Sequence, residues 1–157
     1  MKLPESTASL RIYLDVCCLN RPFDDQTQDR VHLETEAILL ILERCQTGKW
    51  QLVGSEVVDF EVSQIPDYDR RRKVSSLTPL IKDLVIVDAE IAERALVFEK
   101  AGIKSIDALH LACAEKAEAD IFLTTDNRFL QNISKSNSLN KVRVDNPINW
   151  LIEVIQK

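Results

Sequence analysis

Long apolar runs are missing from this chain of 157 residues, and with them any candidate membrane span, which needs roughly 18 apolar residues in a row. The opening MKLPESTASL has no apolar stretch of signal-peptide length, so export is not expected and the cytoplasm is the expected compartment. Paired C-x-x-C spacing is also absent. The four cysteines, Cys17, Cys18, Cys45 and Cys113, have no nearby set of histidines suited to zinc, and the chain holds only two histidines. Cys17 and Cys18 are adjacent and badly placed to bridge each other, while Cys45 and Cys113 fall in apolar helical patterns, so reduced thiols acting as small hydrophobes are expected. Positive charge is scarce: the net charge of −5 argues against a protein that grips nucleic acid through a broad basic surface. It does not argue against a nuclease, because carboxylates reserved for a cation lower the net charge and the ion reverses the local field once bound.

What is present is the composition of an ordinary globular chain, 45% hydrophobic, and a length that fits a single domain over residues 1–157. Short apolar runs at 12–14, 51–53, 84–87, 121–123 and 142–144 read as strands. Between them lie helical patterns. Val31, Ile38, Leu42 and Cys45 recur at helical spacing over residues 28–46, and Gly48 follows as a stop. Ser55 is placed to cap a helix that Pro66 ends, and Asp88 to cap one that Gly102 ends. Residues 67–84 read as partly helical, limited by Pro79. An almost wholly apolar helix runs from Ser105 to about Glu118, and Asn146 with Pro147 opens the last one. The segment after Asp15, CCLNRPFDDQTQ, is rich in turn formers and reads as a loop. Strands alternating with helices predict an α/β fold whose mainly parallel central sheet is covered on both sides.

Four acidic residues stand where a predicted strand stops or a helix begins: Asp15, Glu61, Asp107 and Asp126. In an open parallel sheet those positions line the ligand crevice. Carboxylates gathered there repel one another unless a hard divalent cation neutralises them, and an oxygen-rich site suits Mg²⁺ or Mn²⁺. Each has a plainer reading as well. Asp15 and Asp126 suit turns or helix caps, Glu61 competes with Glu56 and Asp59 for the inward face, and Asp107 gains from the dipole of its own helix. His110, three residues after Asp107, is expected to make a structural hydrogen bond, and His32 to sit on an ordinary helix face. The basic run from Arg70 to Lys73 reads as a solvated face able to meet RNA phosphates or a protein partner. Arg21 and Arg128 lie nearer the acidic positions and are candidates for touching a scissile phosphate, and Thr125 for offering it a hydroxyl.

The pieces IYLD, SEVVDFE, SIDALHLACAEKAEADIFLTTDNRF and VRVDNPINWL together resemble a PIN-domain protein, the family that includes bacterial toxin ribonucleases. The third piece is the most specific, with an aspartate-bearing helix, a strand and a Thr-x-Asp in order. The resemblance spans nearly the whole chain and implies a Rossmann-like three-layer α/β/α sandwich. Position by position, the family's four acidic residues fall on Asp15, Glu61, Asp107 and Asp126. It further implies a Mg²⁺- or Mn²⁺-dependent endoribonuclease acting on RNA, the toxin of a toxin–antitoxin pair with an antitoxin protein as partner, and a homodimer. Asp120 and Asn127 are adjacent candidates for secondary roles, and Val16 occupies a position that is often polar in a subgroup of these proteins. Two other readings compete. A haloacid-dehalogenase-like phosphatase needs a second aspartate where Cys17 stands, and a catalytically silent PIN-like module would use the pocket only to bind RNA or protein.

Overall fold

The computed structural model describes residues 9–136 and 139–156. Residues 1–8, where a leader was sought, lie outside the described residues. Short apolar runs bounded by turn formers become strands: β1 Arg11–Leu14, β2 Gln51–Ser55, β3 Ile81–Val85, β4 Ile121–Leu123 and β5 Val144–Asp145. They pair in parallel throughout, in the order β3-β2-β1-β4-β5. A parallel sheet is covered by its crossover helices on both faces, which is why its central strands carry unbroken apolar runs rather than alternation. Residues 12–14 of β1 and 121–123 of β4 are accordingly buried.

The chain steps from β1 to β2 to β3, then returns to the other side of β1 to lay down β4 and β5. The strand order therefore reverses between β1 and β4. Ligand crevices open at such reversals, beyond the carboxyl ends of the strands. Asp15 follows β1 and Asp126 lies three residues beyond β4, so topology alone brings their segments side by side.

Among the described residues, eight helices, α1 Val16–Asn20, α2 Asp29–Gln46, α3 Glu56–Ser63, α4 Tyr68–Ser75, α5 Ala89–Lys100, α6 Ser105–Lys116, α7 Asn127–Ser134 and α8 Pro147–Ile155, flank the sheet and complete the predicted α/β/α sandwich. Three predicted caps hold at atomic detail: Ser55, Asp88 and Asn146 accept from the backbone N–H of Val57, Ile91 and Ile148. Gly102 closes α5 at φ 100°, a left-handed turn that only glycine adopts cheaply. The core is knitted by aromatic contacts. Tyr13 on β1 stacks on Phe122 on β4 at 5.1 Å, and Phe122 meets Phe129 of α7 edge-on at 5.4 Å.

Several boundaries differ from the sequence reading. The loop expected after Asp15 begins instead with α1 and a 3-10 turn, Arg21–Phe23, because the Asp15 carboxylate caps Val16 and makes a short helical turn favourable despite the turn formers beyond. Strand β3 starts at Ile81 rather than residue 84. It is the sheet edge, where exposed Lys82 and Asp83 are tolerated, and Ile81 is drawn in over Gly54, whose missing side chain leaves it room: a Cβ there would lie 2.8 Å from Ile81 Cδ1. Strand β5 covers only Val144–Asp145, two residues later than expected at its start. All four cysteines are free, as expected, and α6 ends at Lys116, short of Glu118.

Candidate functional site

Asp15, Glu61, Asp107 and Asp126 line one cleft of about 290 Å³ at the carboxyl end of the sheet. Asp15 is positioned by the end of β1, where its backbone N–H donates to the Leu123 carbonyl of β4 at 3.0 Å. Its carboxylate accepts from Val16 N at 2.8 Å and from the Thr124 hydroxyl at 2.8 Å, with Cys17 Sγ at 3.4 Å. Asp126 caps α7, accepting from Arg128 N at 2.9 Å and Phe129 N at 3.2 Å, while its own N–H donates to Thr124 Oγ1 at 3.1 Å. Thr124 thus joins the two strand ends through one hydroxyl. The capping role weighed for Asp126 and its place in the cleft are compatible, since a cap uses one carboxylate oxygen and leaves the other available.

Glu61 comes from α3, whose cap Ser55 is the last residue of β2, and its carboxylate meets His110 Nε2. Asp107 enters on the first turn of α6. It is buried, and no hydrogen-bond donor among the described residues touches its carboxylate. Burial, followed by the negative charges of Asp15 and Asp126, pushes its pKa from 3.8 up to about 7. Burial likewise raises Asp15, with Glu61 adding to the effect while His110 and the Thr124 hydrogen bond oppose it. For His110 burial favours the neutral ring, but the Glu61 hydrogen bond and the charges of Asp15, Glu61 and Asp107 outweigh it and raise the pKa. Ligand-capable atoms of Asp15, Glu61 and His110 lie within 4.8 Å of one another.

A carboxylate that has no hydrogen-bond donor among the described residues and opens on a cleft lined by three others is what a hard cation would satisfy, so the donor set fits Mg²⁺ or Mn²⁺. A roomier groove of about 470 Å³ lies along α2 and α8, but its apolar lining, including Leu33, Ala37 and Ile152, offers no comparable chemistry.

Other predicted residues fall in varied places. Thr125 is buried beside the cleft, its N–H on Cys17 Sγ at 3.4 Å. Arg128 is exposed in the first turn of α7. Arg21, expected near a phosphate, has its guanidinium occupied by Glu34 at 2.7 Å and Asp24 at 3.0 Å. Arg70 is likewise turned inward, onto Asp24 at 2.7 Å, rather than standing on a purely solvated face. Asp120 lies at the opposite end of the sheet, accepting from Arg11 N at 2.7 Å, and Asn127 accepts from Arg30 at 3.0 Å.

Two residues went unnoticed in the sequence. Lys104, just ahead of α6, is a cation lining the acidic cleft, and its place three residues before Asp107 was the available signal. Glu34 on α2 is fully buried and accepts from Arg21, Arg30 and Asn146. Arg30 in turn donates to the Thr125 carbonyl at 2.7 Å, so this hub braces the turn that carries Asp126. An isolated polar residue in an amphipathic helix gives no sign of such a role.

A parallel α/β sandwich with four carboxylates gathered at its strand-order reversal is the class that fold and site define. The PIN domain signature matches residues 12–134, and the chain belongs to that family. Its fold is similar to the crystal structure of FitAcB from Neisseria gonorrhoeae, with TM-score 0.56 and 20% identity over 87% of this chain and 97% of that one. It is also similar to VapBC2 from Rickettsia felis bound to a DNA fragment from their promoter, with TM-score 0.51 and 14% identity over 87% and 98%. A search of curated protein sequences returns no match.

Proposed function

We propose that this protein is a Mg²⁺- or Mn²⁺-dependent endoribonuclease that hydrolyses RNA phosphodiester bonds, acting as the toxin of a toxin–antitoxin pair in the cytoplasm. The observation that carries the reading is the convergence of Asp15, Glu61, Asp107 and Asp126, from four separate segments, on one cleft. Membership of the PIN domain family supports the same chemistry. When bound, an ion of this kind activates water and stabilises charge on the attacking and leaving oxygens of a phosphodiester.

The chain's own residues have distinct parts in this reading. Asp15, Asp107 and Asp126 hold the ion, and Glu61 holds it or orients the water. Thr124 keeps the Asp15 and Asp126 segments in register. Lys104 at the cleft and Arg128 on α7 draw in the phosphate backbone against the chain's negative net charge, and Thr125 offers a hydroxyl at the edge. Arg21, with two carboxylates of its own, serves as a cross-link beneath the site. An antitoxin protein and a second copy of the chain are the partners this reading includes. No helix among the described residues is long and apolar enough to cross a membrane.

The test is cleavage of varied single-stranded RNAs with Mg²⁺ or Mn²⁺, with and without EDTA, beside Mn²⁺ calorimetry on the wild type and Asp107→Asn. Cleavage that needs the ion, and Mn²⁺ binding weakened in Asp107→Asn, are expected. Ion binding without cleavage of any RNA would replace this reading with that of a binding module.

A further inference from the structure

A chain of net charge −5 gathers its densest positive charge in one place, Arg70, Arg71, Arg72 and Lys73 on α4. Those side chains do not share one role. Arg70 ties α4 to the rim of the acidic cleft, donating to the Asn20 carbonyl at 3.2 Å and to Asp24 at 2.7 Å, and Asn20 itself lines that cleft. Arg71 donates to the Ile65 carbonyl at 2.6 Å and lies over the Tyr68 ring, 5.6 Å from its centre. Arg72 and Lys73 are exposed and pair with no carboxylate among the described residues.

Among the described residues two aromatic rings stand mostly in solvent, Tyr68 at 65% exposed and Phe60 at 59%, and both belong to the α3–α4 pair. A single exposed ring is ordinary. Tyr68, however, is held against the Arg71 guanidinium and opens on a hollow of about 390 Å³. Asp59 and Ser63 of α3 and Arg71 and Arg72 of α4 form much of its wall. A flat π-face, a guanidinium free for phosphate and a carboxylate that can accept from the amino edge of a base are the parts of a nucleotide site. A protein partner asks for the reverse, an apolar centre with polar groups at its rim.

We propose that the hollow between α3 and α4 is a subsite for single-stranded RNA, holding an unpaired base on Tyr68 and a flanking phosphate on Arg72, an inference that rests on RNA as the substrate of the proposed function. The hollow and the cleft share α3: Asp59 and Ser63 line the hollow, while Glu61 between them lines the cleft. A strand passing from one to the other crosses about 10–12 Å, the width of a single helix. The bound base therefore belongs to a nucleotide near the scissile bond. Duplex RNA keeps its bases stacked and cannot offer one to the ring, whereas loops and single strands can. The subsite thus selects unpaired RNA, a preference that a cation site meeting phosphate oxygens does not supply.

Fluorescence anisotropy on the full-length protein in EDTA, which withholds the ion, separates the subsite from the chemistry. The probes are a labelled single-stranded RNA of mixed sequence and the same strand annealed to its complement. Single strand should bind more tightly than duplex, and Tyr68→Ala, a change outside the core, should weaken it about tenfold. Tyr68→Phe, which keeps the ring, should match wild type, and Arg72→Gln should reduce the slope of log affinity against log salt by about one. With Mg²⁺ present, Tyr68→Ala should raise KM for the same strand about tenfold and leave kcat near wild type. No binding of the single strand, duplex bound as tightly, or Tyr68→Ala equal to wild type in affinity and KM overturns the subsite and leaves this face to a protein partner. Tyr68→Phe as weak as Tyr68→Ala overturns the stacking role. Tyr68-dependent binding without cleavage of any RNA overturns the ribonuclease reading instead and leaves the subsite standing.

Discussion

Glu34 and Asp107 are both buried carboxylates near the carboxyl end of the sheet, and the molecule treats them in opposite ways. Glu34 on α2 receives Arg21 at 2.8 Å, Arg30 at 3.0 Å and Asn146 at 2.7 Å, so its charge is matched by cations and donors. Asp107 on α6 has no donor on it among the described residues and faces Asp15, Glu61 and Asp126 across the cleft. Burial by itself therefore does not distinguish a structural carboxylate from a reactive one. Compensation does: a matched charge cross-links the fold, whereas an unmatched one stays available to a cation from outside.

Removing charge from the unmatched side should have the largest effect. Asp15→Asn is expected to abolish RNA cleavage while leaving the thermal midpoint equal or higher, because asparagine keeps an acceptor for Val16 but relieves one of four repelling charges. Cleavage assays and thermal melts on both proteins check this, and wild-type rates in a folded mutant would remove Asp15 from the catalytic set. On the matched side the expectation inverts. Glu34→Ala removes a fully buried acceptor from partly buried Arg21, exposed Arg30 and Asn146, and should lower stability by about 1–3 kcal/mol in urea unfolding; a loss near zero would mean that the hub is ornamental.

The smallest effect concerns pH in the metal-free protein. Folding raises the Asp107 pKa from 3.8 to about 7, so the native state keeps a proton that the unfolded chain has already released. Stability from this residue is greatest below pH of about 4 and is lost as pH rises through about 7. Thermal midpoints across that window should fall with pH more steeply in wild type than in Asp107→Asn. Saturating Mg²⁺ should reduce the difference by favouring the ionised form. Parallel pH profiles for the two proteins would break the comparison between Asp107 and Glu34.

Much of this arrangement is legible in the residues themselves. The buried strands around Ile12 and Phe122, the caps Ser55, Asp88 and Asn146 and the stop at Gly102 each follow from local chemistry that tertiary structure leaves intact. The four carboxylates stood out because they follow strands or open helices, and strand order then brings them together. What stayed hidden depended on partners distant in sequence. Glu34 draws no notice until Asn146 arrives from beyond β5, and Arg21, a candidate for touching a phosphate, is held instead by Glu34. Helix α1 was obscured because the cap from Asp15 outweighs the turn-forming residues that follow. His110 was expected to make a structural hydrogen bond; its partner, Glu61, is itself one of the four cleft carboxylates.

The Thr124 hydroxyl reaches Asp15 across 109 residues of chain. Since β1 has β4 as its neighbour, the crevice does not exist in a nascent polypeptide until synthesis has passed Asp126. Domains form as units during translation, and contacts this distant in sequence close late. A ribosome that stalls before that point releases a fragment lacking one wall of the pocket.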